Sequence, residues 1–317
     1  MTVEVWCHTP DPSAFYRLLE PARVLGVRVV ERAEHVTADT VVTNRPILAW
    51  IADQIEKWRR EGRRVIVDVD DAFDWLPANH GIAGKFTTEP LHRACRAASV
   101  VTCSTFALIG LYSHGHGVVV RNCVPEATIG QQRVGRGERQ PWVGWVGSLA
   151  AHPNDLQQCG DGVARALRAT DAAFAFVGPE TDAHRVTATL AWNPPAPDFV
   201  TLGTVSLRTL PSVLVEFDAG IVPLEPSRFN AAKSWLKGLE YSAAGVPAVA
   251  SPTPEYRAMA GLDGCLLASR PGQWFDQLHR LLTDPVFHAE RVAAGLDMAR
   301  QWTYETRARD WGDTWGA

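Results

Sequence analysis

Two lysines and a glutamate, Lys233, Lys237 and Glu240, are spaced so that they could act together. They lie in residues 229–251, FNAAKSWLKGLEYSAAGVPAVAS, which reads as a helix, a stop at Gly245 before Pro247, and a short buried strand. At about 100° per residue the three charges share one helical face, next to an apolar face of Leu236, Leu239 and Ala243. Asn230 is suited to cap the helix start, its side-chain carbonyl accepting from an orphan N–H. One reading is a solvated face, whose i, i+4 contacts are worth a few tenths of a kcal/mol. Three features count against it. Lys233 and Lys237 carry like charge one turn apart, and Lys233 falls in the first turn, where the macrodipole disfavours a cation. The chain otherwise uses arginine, with Lys57 and Lys85 as its only other lysines. The second reading is an anion, a phosphate group, held in front of this helix.

Other candidate groups follow apolar runs. Gly147 and Ser148 begin a loop that continues to His152, and its glycine lets backbone N–H groups approach a phosphate. Asn154 is expected to start a helix through residue 169 whose positive end faces the same anion. His152 is either a donor to that anion or an exposed loop histidine. The run RVIVDV at 64–69 leads into Asp70, Asp71 and Asp74, and His80 follows in NHG. Alternation along a strand sends Asp68 and Asp70 to the same side. The stretches KWRREGRR (57–64) and RVGRGER (133–139) are either polyanion contacts or a solvated helix end and a linker.

The elements that must position these groups form a repeating pattern. Apolar runs at 3–7, 27–32, 39–45, 64–69, 99–103 and 117–122 are joined by helical patterns at 14–26, 47–60, 91–98 and 106–112. The polar, aperiodic stretch 129–140 reads as a linker. Strands near 142–147, 172–178, 198–205, 218–224 and 246–251 then alternate with helices near 184–190, 207–215 and 272–282. Residues 286–315 are expected to be helical, and Trp302, Trp311 and Trp315 to serve packing. Apolar strands separated by helices imply parallel sheets covered on both faces. The fold class is therefore α/β, two doubly wound Rossmann-like domains, with chemistry beyond the carboxyl ends of the strands.

Bulk properties narrow the function classes. The chain has 317 residues, 46% hydrophobic and 21% charged, as in ordinary globular proteins. A net charge of −4 and pI ≈ 6.2 give no overall field for nucleic acid or anionic membrane. No apolar run reaches the length of a membrane span, and the start reads as a strand rather than a signal peptide. Cys7, Cys95, Cys103, Cys123, Cys159 and Cys265 form no CxxC pair or metal-finger spacing, so reduced, buried thiols in a cytoplasm are expected.

In order and spacing, VGWVGS with His152, FVG (176–178), LG.V (202–205), FDAGIVPL (217–224) and the 229–251 block resemble the donor domain of GT-B glycosyltransferases of the family-4-like group. DVDDAFDWLP (68–77), VVTCST (100–105) and VVVRN (118–122) resemble their acceptor domain more thinly. The resemblance implies an acceptor-binding domain at 1–128, a linker at 129–140, a nucleotide-sugar domain at 141–295 and a closing helix at 296–317 that crosses back to the first domain. It implies transfer of a sugar from a nucleotide-diphosphate sugar, UDP-sugar favoured, to a hydroxyl acceptor, with retention. Glu240 matches the glutamate that receives the ribose hydroxyls, and Lys233 and Lys237 meet the diphosphate. Gly147, Ser148, His152, Phe229 and Asn230 complete the donor site.

Asp70, Asp71 and His80 are expected to face the acceptor, and Asp70 or Asp71, with Lys233, to be catalytic. The family's second glutamate, eight residues before Glu240, is replaced by Ala232. The D-x-D form of Asp68 and Asp70 is that of a metal-binding GT-A enzyme, but the two-domain alternation favours GT-B, which needs no metal. No cofactor beyond the nucleotide-sugar co-substrate is implied. The acceptor stays open among saccharides, small molecules and modified DNA. A phage-type DNA glycosyltransferase acting on hydroxymethylated pyrimidines, a sugar-nucleotide epimerase and a non-catalytic nucleotide-sugar binding protein are the alternatives.

Overall fold

A computed structural model describes residues 2–131, 139–190 and 198–317. Among the described residues twelve short strands form two six-stranded sheets, every pairing between them parallel. The first contains β1 (Val3–Trp6), β2 (Arg28–Val30), β3 (Thr40–Asn44), β4 (Arg64–Val69), β5 (Val100–Cys103) and β6 (Gly117–Val119), in the order β2-β1-β3-β4-β5-β6. The second contains β7 (Trp142–Val146), β8 (Ala173–Val177), β9 (Phe199–Thr201), β10 (Ala219–Val222), β11 (Ala248–Ala250) and β12 (Leu266–Leu267), in the order β12-β11-β10-β7-β8-β9. Strands such as AFAFV in β8 are buried along their whole length, because helices cover both faces and no solvent face calls for polar alternation.

Each sheet has an apolar layer on either side. Below the first sheet, Val5, Leu18, Val42 and Ile66 pack with Tyr304, Trp311 and Trp315. The helix Ala308–Trp315 thus lies on the first domain, and Arg64 donates to the Trp315 and Thr314 carbonyls at 2.8 Å. Trp302 meets Trp235 edge-on at 4.6 Å. All six cysteines are buried and unpaired. Among the described residues no helix is long and apolar enough to cross a membrane.

Several local expectations are corrected. The single helix expected after residue 229 is two, Arg228–Ala231 and Leu236–Ala243, separated by a turn. Ser227, not Asn230, caps the first, accepting from the Asn230 N–H at 3.1 Å. The helix expected from Asn154 is a 3₁₀ turn, Asp155–Cys159, and a helix, Gly162–Thr170. Gly160 separates them at φ +50°, where a Cβ would meet Pro271 at 2.6 Å. Residues 286–315 hold two helices, Pro285–Arg300 and Ala308–Trp315, and a further helix, Pro254–Ala260, follows β11. Of the linker stretch, residues 132–138 lie outside the described residues, as does nearly all of RVGRGER.

The basic stretch 57–64 is used for structure. Arg59 donates to the Ala97 and Arg63 carbonyls, Arg63 to the Ala38 carbonyl, and Arg64 to the closing helix. These groups sit at the amino end of β4, away from the carboxyl ends of the strands.

Candidate active site between the two domains

The carboxyl ends of the two sheets face one another. Across the gap, Gly81 N–H donates to the Ala150 carbonyl (2.6 Å), Thr105 Oγ1 to the Ala232 carbonyl (3.0 Å) and Asn122 Nδ2 to Ser234 Oγ (2.8 Å). Trp235, buried, donates from its indole to the Asn122 carbonyl at 3.3 Å. All but the first of these contacts fall on 232–235, where the expected helix is interrupted. The second sheet reverses its strand order between β7 and β10, so the loops after those strands flank the crevice where such folds bind ligands.

Lys233 sits in the interrupting turn. Its Nζ is 3.0 Å from Asp71 Oδ2 across the cleft and 4.2 Å from the centre of the Phe229 ring. One turn on, Lys237 Nζ lies 3.0 Å from Glu240 Oε2, and Glu240 Oε1 accepts from the Tyr16 hydroxyl of the first domain. Glu240 is buried, and burial together with Glu240 holds the Tyr16 phenol well above its ordinary pKa, so it remains the donor. A cavity lies on either side of the Lys237–Glu240 pair, one lined by Lys237 and the other by Glu240. The small one, of about 60 Å³, is lined by Lys233, Lys237, His152, Trp145 and Tyr256. The larger one, of about 400 Å³, is lined by Glu240, Phe15, Tyr16, Leu207, Leu210 and Pro211.

In the loop after β7 the Gly147 N–H donates to the Val177 carbonyl (3.0 Å), that of Leu149 to Asp182 (2.8 Å), and those of Ala151 and His152 to the Ser148 carbonyl. Ser148 Oγ donates to Asp182 at 3.1 Å. These groups bond within the protein. Gly147 is required for packing, since a Cβ would lie 2.5 Å from the Trp145 ring. His152 does reach the small cavity, with Nδ1 2.7 Å from Asp155 Oδ2. Asp155 is buried and also accepts from Glu225 N–H (2.8 Å) and Asn230 Nδ2 (2.6 Å). Asn230 is therefore a buried member of this network, and its Oδ1 has no hydrogen-bond partner.

On the first domain the carboxylates divide. Asp68 is sealed in the core, bidentate to the buried Arg17 at 2.9 and 2.7 Å and accepting from Thr102 at 2.6 Å. The D-x-D pair is therefore not available as a unit. Asp70 lies at the cleft, where burial raises its pKa, Arg45 opposes the shift, and Asp71 and Asp68 add to it. His80 packs edge-on against Phe229 at 5.5 Å. Burial and then Lys233 lower its pKa, so the ring is neutral at pH 7. Lys233, Asp71, Phe229, His80, His152 and Lys237 thus form one cluster. Ser148 stands outside it.

Residues 140–284 match the family described as Glycosyl transferases group 1. The stretch that carries Lys233, Lys237 and Glu240 is thus similar to group 1 glycosyltransferases. The fold of the chain is GT-B. HepE of Anabaena, solved with UDP and glucose, superposes with TM-score 0.69 at 12% identity over 99% of each chain. WaaG, a glycosyltransferase involved in lipopolysaccharide biosynthesis, gives 0.65 at 13% identity, again over 99% of each. Trehalose-6-phosphate synthase of E. coli, bound with UDP-2-fluoro glucose, gives 0.61 at 14% over 90% of this chain and 74% of that one. A search of curated proteins finds no match.

Reasoning from the sequence missed four residues that organise this cleft. Tyr16 and Arg17 project from a π-helical turn, Phe15–Leu19, a local widening common near functional sites. Arg17 links Asp68 to Asn122 Oδ1 (2.8 Å), and Asn122 reaches Ser234 beside Lys233. Asp155 ties His152, Asn230 and Glu225 together. Arg17 carries a signal, a charge set among Phe15, Tyr16, Leu18 and Leu19. The spacing of His152 and Asp155, three residues apart, is another.

Proposed function

We propose that this protein is a glycosyltransferase that moves a sugar from a nucleoside-diphosphate sugar, UDP-sugar favoured, to a hydroxyl acceptor on the first domain, with retention. The observation that carries the reading is the linear order of the two cavities and the charges between them. A diphosphate suits the small cavity, whose two ammonium groups and His152 offset its charge. The ribose follows at Glu240, a carboxylate able to accept from both hydroxyls of a vicinal diol. The base occupies the larger, mostly apolar cavity between Phe15 and Tyr16 and the Leu207–Leu210 wall. The UDP and UDP-glucose complexes of HepE support UDP as the nucleotide.

In this scheme residues 141–295 hold the donor, residues 1–128 hold the acceptor, and no metal is needed. The ammonium of Lys233 stabilises charge developing on the departing diphosphate. Binding requires an exchange, because Tyr16 bonds to Glu240 and Asp71 pairs with Lys233. Once the diphosphate takes Lys233, Asp71 is released beside Asp70, and both carboxylates are free to hold the acceptor hydroxyl. With retention the leaving diphosphate accepts the proton. Asn230, with its unpartnered Oδ1, and Phe229 form the sugar end in place of the glutamate absent at Ala232. Buried, unpaired thiols fit a cytoplasmic location.

Calorimetry with UDP, GDP and ADP, followed by an NMR time course with UDP-glucose, tests the reading. Micromolar UDP binding that weakens in Glu240→Ala, with UDP release and an axial product anomer, is expected. An unchanged affinity in Glu240→Ala would refute it. Conversion of the donor without acceptor or water would instead identify an epimerase.

A further inference from the structure

The first sheet also reverses its strand order, between β1 and β3. The chain runs from β1 out to edge strand β2 and returns to β3 on the other side of β1. Ligands of open parallel sheets sit beyond the carboxyl ends at such a reversal. Here the two loops are 7–11 and 45–48, and Trp50 lies at the start of the next helix, Ala49–Arg60. Trp50 is 53% exposed and Leu48 47%, although tryptophans are mostly buried.

The exposed ring is held firmly. Trp50 meets Trp6 at 5.7 Å and His8 at 6.2 Å, both edge-on. His8 is itself fixed, donating from Nε2 to the Asn44 carbonyl (2.9 Å) and accepting at Nδ1 from the Thr9 hydroxyl (3.0 Å). Arg45 turns the chain here in the left-handed region, φ 46°, an unfavourable state for a non-glycine residue that is found at ligand-binding sites. Its N–H donates to the Asp68 carbonyl at 3.0 Å, which ties this crevice to the strand leading to Asp70.

We propose that the β1–β3 crevice is the acceptor subsite and that Trp50 is a platform for the ring of a neutral saccharide. The proposal rests on the reading of a nucleotide-sugar donor on the second domain. A pyranose has an apolar C–H face rimmed by hydroxyls. A rigid indole covers the face, while Thr9 and Asp70 engage the rim. An indole also stacks on a nucleobase. The charges here, however, are Asp11, Glu31, Asp70 and Asp71, and the guanidinium of Arg45 is already paired with Asp11. A phosphate backbone needs free cations. A neutral sugar does not.

Protein carrying 5-fluorotryptophan, its Trp50 signal assigned by loss in Trp50→Phe, is titrated with maltose and separately with a single-stranded oligonucleotide containing 5-hydroxymethylcytosine. The Trp50 fluorine resonance should shift with maltose, with or without UDP, and stay still with the oligonucleotide. A signal that ignores maltose, or that moves only with the oligonucleotide, overturns the proposal. In transfer assays Trp50→Ala should raise the acceptor KM roughly tenfold, the scale of one aromatic contact. Trp50→Tyr should recover most of that loss. UDP affinity and hydrolysis of UDP-glucose by water should not change. An acceptor KM unmoved in Trp50→Ala also overturns it. Wild-type protein that shows the fluorine shift but binds no UDP refutes the donor reading and supports this subsite.

Discussion

Replacing Asp71 by asparagine should tighten UDP binding, although the substitution removes a group from the proposed site. Lys233 is 3.0 Å from Asp71, with the two side chains 21% and 27% exposed. A diphosphate must break that pair to reach Lys233. Ion pairs open to solvent are worth about 0.2–1 kcal/mol, and this half-buried one belongs near the upper end. At 1.36 kcal/mol per tenfold, Asp71→Asn should lower the UDP Kd by about 2- to 5-fold. The gain should shrink as salt is raised, because the pair remains partly screened by solvent. Isothermal calorimetry of wild type and variant at two salt concentrations gives the answer. Equal or weaker UDP binding by Asp71→Asn would refute competition for Lys233.

Two further outcomes are expected. Asp68→Asn leaves the buried Arg17 without its carboxylate and should cost about 3–5 kcal/mol in urea unfolding; a loss below about 1 kcal/mol would show that the pair is not sealed from solvent. The pKa of Asp70 is raised, so its ionised form, which holds the acceptor hydroxyl, is lost as pH falls through a midpoint above the ordinary carboxylate range of about 4. The acceptor kcat/KM should fall on that acid limb. Asp71→Asn, by removing a neighbouring negative charge, should move the midpoint to lower pH, and an unmoved or higher midpoint would exclude Asp70 as the titrating group.

The doubly wound α/β architecture was legible because buried parallel strands leave continuous apolar runs and their helices leave a 3.6-residue period. Gly245 marks a real stop, with φ +70° just after Leu236–Ala243. The break at 232–235 was not legible. Local periodicity continues through it, and it is fixed from outside, by Thr105 on the Ala232 carbonyl and by Asn122 on Ser234 and Trp235. Lys233, Lys237 and Glu240 could be picked out by residue type and spacing. Their partners Asp71 and Tyr16 could not, because they are 162 and 224 residues away from Lys233 and Glu240 in the chain. The packing role of Gly147 was hidden for a related reason. A glycine after a strand suits a phosphate cradle and a close approach to a tryptophan ring equally well, and only packing shows which applies.

The central claim is that Lys233 stabilises the diphosphate as it leaves. Single-turnover transfer by Lys233→Ala, with its fold checked by circular dichroism and melting, tests this most directly. The account predicts a loss of roughly 10²-fold or more, the scale for removing one charge-stabilising donor from a reacting centre. Near-normal turnover in the folded variant would contradict it.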